Sequence, residues 1–290
     1  MKPAAFEYHA PDTVEEALGL LEAHGDQAKV LAGGQSLVPL MNMRLARPAV
    51  IVDINRIHAL DHLTPDGDAL RVGALCRQRS AERSAIVAAR CPLLHAALQL
   101  VGHVQIRNRG TVVGSLAHAD PAAELTAVLA ALGGTVTAVG PDGTRTIPAD
   151  EFFVSYLTTS LDPRELLTEA RFPTLPEDAG WSWMEIARRH GDFALAGVGV
   201  VLAVRRGRIA EARIGLTGVG PTPMRAVRTE RALAGRAPAD ALWTEAADAV
   251  REEIDPEGDI HASAEYRRHV AGVLTRRALA EACARTAKAA

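Results

Sequence analysis

Apolar residues in the first half of the chain come in two rhythms, stripes at helical spacing and short unbroken runs, and the two alternate. Ala17, Leu18 and Leu21 fall on one side of a helix that opens with a capping box at Thr13 and Glu16 and closes at Gly25. The short apolar run 29–32 predicts a strand; it leads straight into Gly33-Gly34-Gln35-Ser36, after which 37–45 returns to helical spacing. Residues 50–54 are continuously apolar, as in a strand interior to a sheet, and the alternation of helix and strand favours parallel pairing. A strand at 70–75 follows, then helices at 78–89 and 92–101, the second with Pro92 at its start. From Gly102 the pattern breaks into a long loop that ends at Pro121, a favourable first position for an Ala/Leu-rich helix over 121–132. Strands at 135–139 and 144–147 flank the turn Pro141-Asp142-Gly143, and a strand at 166–172 ends at Pro173.

Pro173 and Pro176, with Glu177 and Asp178 behind them, mark a natural boundary, and the style then changes. Strands at 181–187, 194–204 and 210–216, with Arg206-Gly207 between the last two, predict an antiparallel sheet. Helices at 226–233, 239–253 and 263–287 carry apolar stripes suited to covering one face of it. The chain thus divides into residues 1–176, with subdomains of about 1–56 and 57–176, and residues 177–290, an α+β arrangement of two α/β subdomains followed by an antiparallel sheet with helices.

Composition narrows the chemistry. With 290 residues, 48% apolar and 23% charged, the chain is long enough for two ordinary domains with buried cores. A net charge of -3 with intermixed signs gives no basic face for nucleic acid, and no apolar run approaches a membrane span or a signal peptide, so a cytoplasmic location is expected. Cys76, Cys91 and Cys283 are scattered, without zinc spacing, and too few for the four thiolates of an iron–sulfur cluster; any such cluster must sit on another chain.

Two stretches carry candidate chemistry. In Gly33-Gly34-Gln35-Ser36 a strand meets a helix start through glycines, a geometry that offers free N–H groups to a phosphate; alone, the motif is weak and reads more readily as a tight turn. The stretch 102–125 combines Arg107, Arg109, glycines at 110 and 114, Thr111, Ser115, His118, Asp120 and Glu124, a composition that suits an anionic cofactor. Each of these residues has an ordinary alternative. The arginines can be solvated, His103 and His118 structural, Asp120 a cap on the helix at Pro121, and Phe193 plain core.

The strings Ala32-Gly33-Gly34-Gln35-Ser36-Leu37-Val38-Pro39 and Ile106-Arg107-Asn108-Arg109-Gly110-Thr111, with Gly114-Ser115-Leu116-Ala117-His118-Ala119-Asp120-Pro121 and Glu124, resemble the two FAD-binding loops of the medium subunit of molybdenum hydroxylases, the family of carbon monoxide dehydrogenase and the flavin part of xanthine dehydrogenase. Arg188-Arg189-His190-Gly191-Asp192-Phe193-Ala194 and Tyr266-Arg267-Arg268 extend the resemblance over nearly the whole chain. It implies a vanillyl-alcohol-oxidase-type FAD domain and an electron-transfer role. FAD on this chain would take electrons from [2Fe-2S] clusters on a small subunit, which receives them from a large subunit holding the molybdopterin cofactor, the whole a dimer of heterotrimers. The resemblance assigns the pyrophosphate to Ala32, Gly33, Gly34, Gln35, Ser36, Leu37, Thr111, Gly114 and Ser115, and places Leu31 beside them as a further cofactor-binding residue. It directs His118, Asp120 and Glu124 toward ribityl or adenosine hydroxyls, Leu167 toward the flavin or adenine, and Phe193 toward the isoalloxazine ring as a gate. No residue is assigned a catalytic role of its own. A self-contained flavin oxidase and a cofactor-free scaffold subunit are the rival readings. One departure stands out: Val113 occupies a position where the family usually shows glycine, which predicts backbone strain or crowding of the ligand and weaker FAD binding.

Overall fold

Three short parallel strands open the chain. The computed structural model describes residues 1–289, with side chains described through Thr286. Strand β1 (Glu7–His9) is followed by helix α1 (Val14–His24), β2 (Ala28–Leu31), α2 (Leu37–Asn42) and β3 (Val50–Asp53). The strands pair in the order β1-β3-β2, all parallel; the alternation of elements predicts this for β2 and β3, while β1 carries no apolar run to signal it. α1 starts where expected: the Thr13 side chain accepts from Glu16 N, and the Glu16 carboxylate accepts from Asp12 N at 2.8 Å. α2 is shorter than the 37–45 stripe, because Arg44 takes a left-handed φ of 60° just beyond it.

Strands β4 (Leu63–Asp66) and β5 (Ala69–Gly73) begin a second sheet. Helices α3 (Gln78–Glu82), α4 (Ala85–Arg90), α5 (Pro92–Leu98), α6 (Val104–Arg109), α7 (Val112–His118) and α8 (Glu124–Leu132) follow, then β6 (Thr135–Gly140) and β7 (Gly143–Pro148). The short helix α9 (Ala149–Phe152) and the hairpin β8 (Phe153–Ser155) and β9 (Thr158–Thr159) lead to β10 (Leu166–Pro173). The sheet order is β4-β5-β10-β6-β7, antiparallel throughout, so the parallel pairing stops with the first sheet.

Three local expectations are corrected. The helix at 78–89 is two helices, broken at Arg83 and restarted by Ser84, whose hydroxyl accepts from Val87 N. The stretch 102–120 is not one loop, since α6 and α7 occupy most of it. The helix expected from Pro121 begins at Glu124, because Asp120 Oδ1 accepts from Ala122 N at 2.8 Å and closes a turn instead, while the Pro121 carbonyl accepts from Gly218 N and the Thr217 hydroxyl.

The remaining strands, β11 (Ala179–Ile186), β12 (Ala196–Arg205), β13 (Arg208–Thr217) and β14 (Met224–Arg225), form an antiparallel sheet in that order. Arg206 and Gly207 both have positive φ, as a two-residue hairpin turn requires. Helices α10 (Val227–Leu233), α11 (Asp240–Glu253) and α12 (Ala264–Ala289) complete the described chain. Val198, Val200 and Leu202 of β12 face these helices, while Val201 and Trp183 join the core built by the first two sheets and α5 and α8. The third sheet is therefore packed on both faces, and α8 lies directly on it. A Cβ at Gly215 would sit 2.6 Å from the Ala127 carbonyl oxygen and 2.7 Å from Ala131 Cβ. Among the described residues, no helix is long and apolar enough to cross a membrane.

Candidate functional site

β2 ends against β3 and delivers the chain into Ala32, Gly33 and Gly34, which turn it into α2. Gly34 has φ +74°, a backbone state that favours glycine. Val38 N donates to Gly34 O, the first bond of the helical turn, and the N–H groups of Gly33, Gly34, Gln35, Ser36 and Leu37 donate to no group of the described residues. They form a run of free donors at the head of a helix, where an anion is favoured.

The second loop is built between α6 and α7. Gly110 N donates to Ile106 O and ends α6; Thr111 then caps α7, its hydroxyl accepting from Gly114 N at 3.0 Å. The two loops touch through their backbones. A Cβ at Gly33 would lie 2.4 Å from Arg109 O, 2.7 Å from Gly110 Cα and 3.0 Å from Thr111 N, so only glycine allows this approach.

The loops border one cleft of about 550 Å³. Leu31, Ala32, Gly33, Gly34, Gln35, Ser36, Leu37, Thr111, Gly114, Ser115, His118, Asp120, Glu124, Leu167 and Phe193 all line it, so the residues that the resemblance assigns to the cofactor share one cleft, whereas Arg107 and Arg109 of the same stretch do not line it. Leu167, in β10, is buried, whereas Phe193, from the segment before β12, is 59% exposed and so is not plain core. That segment is seated by His103: a Cβ at Gly191 would meet the His103 ring at 2.5 Å, and the His103 and His190 rings stand edge to face.

The titratable groups of the cleft are tuned mainly by burial. Glu124, first residue of α8 and 4% exposed, has its carboxyl pushed up to about 8 by burial and then by the negative charge of Glu185 on β11; Asp120 adds to this and Arg107 opposes it. Glu185 is likewise raised by burial, although Trp183 Nε1 donates to it at 3.0 Å. His118 is lowered by burial, partly offset by Asp120, which favours the neutral ring.

Arg107, read from the sequence as either solvated or ligand-facing, is neither. It is 5% exposed, its guanidinium grips Glu82 through Nε at 2.8 Å and Nη2 at 3.2 Å, and Nη1 donates to Val101 O and Gly102 O. Burial pushes the Glu82 carboxyl up, but hydrogen bonds from Arg107 and Arg79 outweigh it and hold the group below its ordinary value. The strain expected at Val113 is also absent. Val113 lies in the first turn of α7, is not among the residues with positive φ, and is 2% exposed; its backbone is helical, and its side chain both packs in the main core and borders the cleft.

Sequence reasoning missed three residues around the loops. Gln78, 5% exposed, lines the cleft, donates its backbone N–H to Gly110 O, and leaves its side-chain Oε1 without a partner. Asn55 and Arg77 lie behind the loops and hydrogen-bond to their carbonyls. No spacing rule signals them, because their contacts are to main-chain oxygens of distant segments. Among the described residues no group of three or more His, Cys, Asp or Glu is placed to hold a metal ion.

Comparison with known proteins agrees with this geometry. Residues 4–175 match the family described as the FAD binding domain in molybdopterin dehydrogenase, and residues 181–282 the CO dehydrogenase flavoprotein C-terminal domain. The chain is 42% identical over 283 residues to the 6-hydroxypseudooxynicotine dehydrogenase complex subunit alpha of Paenarthrobacter nicotinovorans, covering 97% of this chain and 96% of that protein. It is 39% identical over 287 residues to the carbon monoxide dehydrogenase medium chain of Hydrogenophaga pseudoflava, covering 99% and 100%. A solved structure of carbon monoxide dehydrogenase from Hydrogenophaga pseudoflava, lacking the Mo-pyranopterin moiety of its cofactor, contains a chain that superposes with a TM-score of 0.96 at 41% identity over 98% of this chain and 99% of that one.

Proposed function

Because this chain belongs to the FAD-binding medium subunits of molybdenum hydroxylases, a flavoprotein oxidoreductase family, we propose that it is the electron-transfer subunit of such a complex, working in the cytoplasm. On this reading it takes electrons from the [2Fe-2S] clusters of a small subunit and passes them outward, beside a large subunit that holds the molybdopterin cofactor, in a dimer of heterotrimers. The domain boundary belongs to the same reading and falls at residues 176–177.

One observation carries the proposal. Two loops distant in sequence meet through glycine at the head of a cleft, and one of them presents five N–H groups that no acceptor among the described residues takes. This donor set suits a diphosphate, whose oxygens are acceptors only. The residues present therefore fit FAD.

Gly33 through Leu37, with the Ser115 hydroxyl, would hold the phosphates. His118 as a neutral ring and Glu124 as a neutral acid can each donate to, or accept from, sugar or ribityl hydroxyls. Leu167 and Phe193 would give the ring system an apolar wall and an apolar cover. FAD, when bound, supplies an acceptor that takes electrons singly and returns them to an external oxidant. The protein needs no acid–base dyad for this; it supplies position, field and exclusion of water.

The compound oxidised is set elsewhere in the complex. Relatives of nearly equal similarity are named for 6-hydroxypseudooxynicotine and for carbon monoxide. Titration of the flavin-stripped full chain with FAD, followed by quenching of flavin fluorescence, tests the proposal. Saturable uptake of one FAD per chain is expected, and no uptake overturns it in favour of a cofactor-free scaffold. Turnover of an alcohol or aldehyde by the isolated chain would instead make it a self-contained oxidase.

A further inference from the structure

The separation of the two cleft loops is controlled from behind. Asn55, just past β3, donates Nδ2 to Ala32 O of the first loop at 2.8 Å and accepts at Oδ1 from Arg77 Nη2 at 2.6 Å. Arg77, between β5 and α3, sends Nη1 to Arg109 O of the second loop at 2.7 Å. The amide of Asn55 can point only one way, because Asp53 Oδ1 takes both its backbone N–H and its Nδ2, and Asp53 Oδ2 is itself fixed by the Tyr8 hydroxyl at 2.7 Å. An unbroken chain of hydrogen bonds thus runs from Ala32 O through Asn55 and Arg77 to Arg109 O. Backbone pairing of Arg77 with Thr111 ties the same arginine to the second loop a second time.

Neither Asn55 nor Arg77 lines the cleft, so neither acts by touching a ligand. Their effect is on carbonyl direction. In a trans peptide the C=O of one residue and the N–H of the next point to opposite sides, so holding Ala32 O backward turns the Gly33 N–H away from Asn55. Holding Arg109 O in the same way keeps it at the spot where a Gly33 side chain would stand. The guanidinium occupies this place against resistance: burial first, and then the like charge of Arg109, push its pKa down.

We propose that Asn55 and Arg77 form a clasp that sets the spacing and carbonyl orientation of the two loops, and that they are positioning residues for the anionic part of the cofactor. The inference rests on the FAD reading above, and the test separates the two.

FAD affinity is measured on the flavin-stripped full chain for wild type, Arg77→Met, Arg77→Lys, Asn55→Ala and the double variant Asn55→Ala/Arg77→Met. Hydrogen exchange of the Val38, Gln78, Gly110 and Val112 amides, which bond within or beside the loops, is followed without FAD. Arg77→Met and Asn55→Ala are each expected to weaken FAD binding about ten- to hundredfold, the size of a lost charged hydrogen bond. The double variant should lose no more than about threefold beyond the worse single, since a broken chain cannot be broken again. Arg77→Lys, which keeps the charge but not the fork, should fall between. Exchange at the four amides should speed up in Arg77→Met and Asn55→Ala, while the melting midpoint of the flavin-free chain moves little. Single variants that bind FAD as wild type does, or that exchange as wild type does, overturn the clasp. A wild type that takes up no FAD overturns the functional reading and the cofactor role together, and unchanged exchange would then also remove the loop-setting role.

Discussion

A methyl group at position 33 would land 2.4 Å from Arg109 O, well inside contact distance, and that oxygen is held in place by Arg77. Gly33→Ala should therefore push the loops apart. We expect about 1–3 kcal/mol of lost stability in urea unfolding and at least tenfold weaker FAD uptake; a variant equal to wild type in both would show that the loops can slide. Glu124 makes a second prediction, about pH. Its carboxyl is raised to about 8, so the folded chain keeps a proton that the unfolded chain releases near the ordinary carboxylate value. The folded state then binds more protons between these values, and stability falls as pH rises through that window, levelling off above it. Glu124→Gln keeps the neutral shape and should remove this slope, gaining roughly 2–4 kcal/mol over wild type at pH 8 and much less at pH 5; parallel urea curves at both pH values would refute the assignment. The glycine of the first prediction is legible in the sequence because glycine has few reasons to be doubled after a strand. The state of Glu124 is not, since it depends on burial and on Glu185, more than fifty positions away. Val113 shows the same limit from the other side: a valine in place of a glycine is read as strain until the helix that contains it is seen.

At the scale of elements, the second loop exists because α6 stops and α7 starts within two residues, Gly110 and Thr111. The Thr111 hydroxyl fills one free donor of α7, so the loop's shape and the helix's stability are coupled. Thr111→Ala should cost about 1 kcal/mol and loosen FAD, while Thr111→Ser should restore most of both, measured by unfolding and by titration; an alanine variant as stable as wild type would remove the cap from the account. Many elements could be read from the chain, among them α1, β2, β3, the three long strands of the third sheet and the helices that cover it, because an apolar period is long enough there to declare itself; the two-residue β14 gave no such signal. The stretch 102–120 could not. Its helices are six and seven residues long, shorter than two turns, and it mixes exposed Val104 and Ile106 with buried Arg107, which inverts the usual pattern. Pro121 misled for a related reason. A proline suits a helix start, but here Asp120 and the incoming Thr217 claim the backbone groups that a helix would need.

For the whole molecule, the decisive surface is the one between α8 and the third sheet, because the cleft takes Glu124 from one side of it and Gly191, Asp192 and Phe193 from the other. Only small residues let these parts meet. The Ala127 carbonyl and Ala131 press on Gly215, and Thr217 donates to both Pro121 O and Ala123 O, binding the start of α8 to the end of β13. No period in the sequence announces such a seam, since Gly215 sits in an ordinary strand and its partner lies some ninety residues earlier. A side chain at 215 has nowhere to go, as the obstacle is backbone and not the end of a flexible chain. Gly215→Val should thus cost about 1–3 kcal/mol by overpacking and tilt α8 away from the sheet. Position 215 lies outside the cleft wall, so any effect on flavin must travel through this tilt. The expected signature is a moderate loss of FAD affinity together with higher accessibility of Phe193, read by a fluorophore or quencher at that position, while Gly19→Ala in α1, with open space around it and no positive φ, leaves both unchanged. If Gly215→Val lowers stability yet leaves FAD affinity and Phe193 accessibility as in wild type, the two halves hold the cofactor independently, and the seam is only an anchor.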